Sequence, residues 1–285
     1  MEHYIKPTAD IFIKYLLGSQ ENRDLLLSFI NSVLEDAKFQ KIVRVEIKNP
    51  FNLKSFLNDK ESILDVKATD ENGRQYDVEI QSEGNEYFKN RSLYYWAKLY
   101  SSQMEEADKY IDLKPTICIN ILNFKLFKEI ERLHTCFLLR EQNLPEYVLT
   151  DHLVIHFLEV PKVPDKTIKT KLTKWLFYLK YEGKEEEKMK ILLKDSDINK
   201  AHMVYKRFTE DERLREIYDA RMKRKLDYNT DIALAEQKGI KEGIKETNLE
   251  NAKKMLVKKY AIKDIADITG LAEEEIMAIK STIIN

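Results

Sequence analysis

The sequence predicts an α/β or α+β core over roughly residues 1–180, followed by a charged, all-helical extension. Strand-like segments cluster in the middle of the chain, with helical periodicity on either side of them. One of these segments, Thr116 to Leu122 (TICINIL), is a continuous apolar run rich in β-branched residues, as expected of a strand buried on both faces. From Ile168 onward nearly every residue falls in a charged helical pattern.

Asp10 to Leu34 reads as helix: Ile13, Leu16, Leu17, Leu26, Phe29, Ile30, Val33 and Leu34 recur at three- and four-residue spacing, with a break at Gly18-Ser19. Ile42 to Lys48 alternates with period two and ends at Asn49-Pro50, so it reads as a strand. Residues 61–81 form a hairpin pattern, and Tyr87 to Tyr110 a long aromatic-rich helix that stops before Pro115. His134 to Arg140 and Leu153 to Val160 read as two more strands.

The extension divides into a charged helical stretch, 181–245, and a small helical tail, 246–285. The first contains the pseudo-repeat GIKE-GIKE, a solvated helix in which Gly239 and Gly243 each cost about 1 kcal/mol relative to Ala. In the second, Ala252 to Lys280 reads as a helical hairpin turning at Thr269-Gly270-Leu271. It resembles a helix-turn-helix, but its second helix opens Ala-Glu-Glu-Glu, the wrong charge to meet phosphates. The expected role is a tail for dimerisation or partner docking.

At 43% hydrophobic residues the chain can bury a sizeable core, and its 34% charged content accompanies aliphatic residues throughout, which excludes disorder. The net charge is −1, so any nucleic-acid footprint must be local. Cys118 and Cys136 lie in separate apolar runs, which excludes a disulfide scaffold and predicts two core thiols in a reducing compartment. With no run long enough to span a membrane and no signal-peptide pattern, the expectation is a soluble, cytoplasmic protein.

The chemistry concentrates in the hairpin. In Asp77-Val78-Glu79-Ile80-Gln81, alternation places Asp77, Glu79 and Gln81 on one face, Val78 and Ile80 on the other. On the preceding strand Asp65 and Lys67 share a face. A two-residue Asn72-Gly73 turn would set the two carboxylate faces on opposite sides of the sheet. A three-residue loop, Glu71-Asn72-Gly73 with Gly73 left-handed, instead pairs Asp65 with Glu79 and Lys67 with Asp77, and avoids burying a lone carboxylate on the apolar side. Opposed carboxylates about 5 Å apart repel unless a cation sits between them, and Mg²⁺ suits such oxygen donors. The bland reading is a polar edge hairpin in which Lys67 pairs with Asp77 and the remainder is solvated.

Asp65 followed by Glu79-x-Gln81, with Asp10-Ile-Phe-Ile-Lys-Tyr-Leu-Leu-Gly upstream and Arg91-x-x-Tyr-Tyr-Trp downstream, resembles the Rpn family of recombination-promoting nucleases and transposases, in the PD-(D/E)xK superfamily. The resemblance spans roughly residues 4–180, and the GIKEGIKE tail is also similar to many members. It implies a restriction-endonuclease-like α/β core with a four-stranded mixed central sheet flanked by helices. It also implies divalent-metal dependence, Mg²⁺ or Mn²⁺, and DNA as the partner that is cleaved.

By the same resemblance Asp65 matches the motif Asp, although Leu64 replaces the Pro. Glu79 matches the second acid, and Gln81 stands where the wider superfamily has Lys. Asp10 matches an acidic position on the first helix, where an N-cap role is the alternative. A neutral Gln81 orients water but supplies no charge, so a cation must come from Lys67 or from the following helix, where Arg91, Tyr95 and Lys98 share a face and are candidate DNA contacts. His134, His152 and His156 lack metal-ligand spacing and read as core or edge residues. No Walker A, GxGxxG or GxSxG motif occurs. The expected function is therefore a metal-dependent DNA endonuclease. The alternative is a catalytically silent nuclease-fold protein that binds DNA or protein through its helical tail.

Overall fold

The structure is a computed structural model that describes residues 4–51, 66–84, 87–106, 109–165 and 168–284. Asp65 lies outside the described residues. The chain divides into two compact units, Met1–Tyr218 and Asp219–Asn285.

The first unit opens with α1 (Asp10–Gly18) and α2 (Arg23–Asp36), separated by a 3-10 turn at Gln20–Asn22 where Gly18-Ser19 predicts the break. Then come β1 (Val45–Ile47), β2 (Val66–Asp70), β3 (Gln75–Gln81), α3 (Phe88–Ser101), β4 (Thr116–Leu122), β5 (His134–Leu138) and β6 (Leu153–Glu159). Four helices follow: α4 (Lys171–Tyr181), α5 (Glu186–Leu192), α6 (Ser196–Glu210) and α7 (Glu212–Val257). α3 ends about two turns earlier than its aromatic periodicity suggests. The Ser101 and Ser102 hydroxyls donate back to the Lys98 and Leu99 carbonyls, the competition that makes serine a poor helix interior.

The described strands form one mixed six-stranded sheet in the order β1-β2-β3-β4-β6-β5. Its outer pairs β1/β2, β2/β3 and β5/β6 are antiparallel, and β3/β4 and β4/β6 are parallel. The sheet thus has two strands more than the four the family resemblance implies. β4 is buried along its whole length, as its unbroken apolar run requires. Gly18 at the end of α1 lies against Val66, on the face that also carries Val78 and Tyr76, so α1 covers the apolar side of the hairpin. α2 packs behind it, with Phe29 edge-on to Trp175 of α4 at 5.8 Å, and Phe208 of α6 meets Phe12 at 5.3 Å. α3 covers the other face through a cluster of Phe88, Cys118, Leu122, Ile155 and Phe157.

Cys118 is buried as expected, but Cys136 is only partly so. It sits on β5, the edge strand, which has a neighbour on one side only. In the second unit the end of α7 packs with α8 (Ile262–Thr269) and α9 (Glu273–Ile284) around Ala252, Ile265, Leu271 and Ile276. The predicted turn is present, with Gly270 at φ 66°. Glu273, Glu274 and Glu275 form the first turn of α9, where the helix dipole favours negative charge. Among the described residues no helix is long and apolar enough to cross a membrane.

Candidate active site

The hairpin's geometry is set by its loop. Gly73 has φ 80°, its amide donates to the Asp70 carbonyl at 3.1 Å, and the Asp70 amide donates to the Arg74 carbonyl at 3.1 Å. Asp70 then holds the loop from within: its Oδ1 accepts from the Asn72 and Arg74 amides, and its Oδ2 pairs with the Arg74 guanidinium at 2.6 Å. This is the three-residue loop, and it pairs Lys67 with Asp77 and Val66 with Val78. Paired residues point to the same side, so Lys67, Asp77, Glu79 and Gln81 share one face of the sheet.

That face is turned towards α3. Asp77 is directly beside Cys118 on β4, whose Sγ is 4.0 Å from Asp77 Oδ2, and Cys118 packs against Phe88 of α3. Asp77 is wholly buried and Glu79 is 7% exposed, while Lys67 and Gln81 are half-buried. Burial, and after it the negative charge of Asp77 and Glu79, pushes the Cys118 thiol well above its ordinary pKa. Two carboxylates are therefore removed from water on one strand, which is costly unless cations or donors compensate.

Gln81 meets Arg91 of α3, whose Nη2 donates to Gln81 Oε1. The guanidinium lies over the Phe88 ring at 4.9 Å and faces Tyr95 at 5.7 Å. Lys98, two turns after Arg91, is exposed. Asp10 is the first residue of α1, and the N-cap position belongs to Ala9, which makes no side-chain cap. One turn further on, Lys14 is 8% exposed, a buried cation whose only sequence signal is its place in an otherwise apolar helix.

Two residues outside the motif positions also belong to this region: Asp77, which alternation places on this face, and Asn120, which the sequence patterns passed over. Asp77 is the most buried acid of the strand, more buried than the motif's own Glu79. Asn120 lies beside Glu79 in the β3/β4 register, is 2% exposed, and donates to the His156 carbonyl at 3.1 Å. Its signal was a single amide in the middle of TICINIL. In oxygen-donor chemistry, Asp77 and Glu79 suit a hard divalent cation. Among the described residues, which exclude Asp65, no group of three or more His, Cys, Asp or Glu is gathered for a metal.

His134 and His156 occupy the opposite face, whereas His152 Nδ1 meets the Tyr100 hydroxyl of α3 at 2.9 Å. His134 Nδ1 meets Asp36 Oδ2 at 2.7 Å, and His134 Nε2 meets His156 Nδ1 at 3.0 Å. Burial, then the neighbouring His134, lowers the His156 pKa to about 3. A cavity of about 430 Å³ beside them is lined by Asp36, Lys38, Arg132, His134 and Cys136 and contains none of the hairpin carboxylates.

A mixed sheet flanked by helices, with an acidic hairpin followed by a helix bearing an arginine against the motif glutamine, defines a PD-(D/E)XK nuclease-like α/β protein. The chain belongs to this family: the model described as PD-(D/E)XK nuclease family transposase matches residues 7–235. No curated protein and no solved structure matches the chain.

Proposed function

We propose that the chain is a Mg²⁺-dependent DNA endonuclease of the recombination-promoting or transposase-associated type, with Asp65 and Glu79 as the metal-binding carboxylates. The observation that carries this reading is the burial of Glu79 beside Asp77 on a strand whose partner is set by the three-residue loop. Side-by-side carboxylates on one strand face supply the hard oxygen donors that a divalent cation takes. Mn²⁺ would serve the same oxygen donors. When bound, the ion would polarise the scissile phosphate and lower the pKa of the attacking water. Gln81 orients the water; Asp10 stands on α1, which covers the opposite, apolar side of the hairpin, and is given no part in the step. Cleavage leaves a 5′-phosphate and a 3′-hydroxyl.

Supercoiled plasmid provides the test. The wild-type chain is expected to nick it in Mg²⁺ and not in EDTA, and Asp65→Ala and Glu79→Gln to remove nicking while leaving the circular-dichroism spectrum unchanged. Undiminished nicking by either variant would refute the site assignment.

A further inference from the structure

The superfamily motif ends in a lysine, and here position 81 is an amide that carries no charge. Three cations stand near enough in the fold to be considered. Lys67 is paired across the strands with Asp77, so its nearest cross-strand neighbour is already a buried carboxylate. Lys98 is exposed on α3. Arg91 is bonded to the motif residue itself.

The orientation of Gln81 makes this bond specific. Its Nε2 donates to the Glu83 carbonyl at 3.1 Å, and its Oε1 accepts from Arg91. Guanidinium is donor-only and a carbonyl is acceptor-only, so the flipped amide would lose both bonds. A lysine at 81 would instead set two like charges against each other. The rings of Phe88 and Tyr95 brace the guanidinium. Its Nε is buried with no hydrogen-bond partner, and no carboxylate is paired with Arg91 among the described residues. The guanidinium therefore retains charge and donor capacity after Gln81 has positioned it.

We propose that Arg91, positioned by Gln81, supplies the positive charge of the missing motif lysine and binds a non-bridging oxygen of the scissile phosphate. The assignment rests on the nuclease reading above. In the hydrolysis, the water oxygen bonds to phosphorus, the P–O3′ bond breaks, and a water proton ends on the 3′ oxygen. Arg91 keeps its protons throughout and stabilises the added negative charge on the phosphoryl oxygens. Gln81 is a positioning residue.

The test compares single-turnover plasmid cleavage by wild type, Arg91→Gln, Arg91→Ala, Glu79→Gln and the double variant Arg91→Gln/Gln81→Lys, alongside DNA affinity in EDTA over a salt series. Arg91→Gln keeps an amide against Gln81, so it preserves the packing while removing the charge. The expected result is a roughly 100- to 1,000-fold slower cleavage step, with the logarithmic salt slope of binding smaller by about one. The double variant, with lysine restored at the motif position, should recover at least about tenfold of that loss. A purely structural role for Arg91 would be neither rescued by Gln81→Lys nor visible in the salt slope. Wild-type rates in Arg91→Gln, or a double variant no faster than the single one, would overturn the assignment. The nuclease reading fails separately, if wild type does not cleave or Glu79→Gln cleaves undiminished.

Discussion

His156 shows how one residue ties the pH response of this chain to burial. Its imidazole is wholly buried and its Nε2 has no hydrogen-bond partner, so the neutral form is favoured down to about pH 3. The unfolded chain takes up that proton near pH 6.5. A histidine whose folded pKa is lowered contributes stability that is full above about pH 6.5 and declines as pH falls towards about 3. Urea unfolding is therefore expected to show about 2 kcal/mol less stability at pH 5 than at pH 7 from this group. His156→Gln should flatten that dependence, and an unchanged slope would remove His156 as its source. The carboxyl groups of β3 are buried on a central strand, and this makes Glu79 a candidate ligand for a cation.

Among the elements, the β2–β3 hairpin is the one whose geometry decides the site. Gly73 adopts φ 80°, and a Cβ there would meet Lys114 Cγ at 3.4 Å. Gly73→Ala should cost about 1–2 kcal/mol, the penalty of an L-residue held left-handed, read as a lower urea midpoint. It should also slow plasmid nicking more than Asn at the same position, because Asn tolerates this conformation better. Equal behaviour of the two variants would mean that the loop does not depend on the left-handed residue. α3 is the second deciding element. It crosses from β3 to β4, and its Arg91 reaches back to the last residue of β3.

For the molecule as a whole, the proposed metal site would couple ion binding to folding. A ligand that binds only the folded state stabilises it by about 2.7 kcal/mol at one hundred times its Kd. The melting temperature should therefore rise with Mg²⁺ or Mn²⁺ concentration in wild type and not in Glu79→Gln. Isothermal titration separates the two functional readings: a fold with its carboxylates intact and no metal affinity is the silent binding module acting through its helical tail. The net charge of −1 also predicts that DNA contact is confined to one face.

The hairpin was legible in the sequence because its determinants are local. A glycine at the third loop position, alternation on the strand and the cost of burying a carboxylate on the apolar side specify one register, and Lys67 pairs with Asp77 accordingly. The double burial of β4 was legible for the same reason, an unbroken apolar run. The sequence by itself thus determined the fold class and the strand that carries Glu79. Only the tertiary structure decided which cation Gln81 meets, that Asn120 lies beside Glu79, that His134 and His156 join Asp36, and that Cys136 falls on an edge. These depend on strand order and helix crossing, in which β6 inserts between β4 and β5. Such contacts join residues far apart in the chain, where no local periodicity or turn chemistry marks which partner each side chain will find.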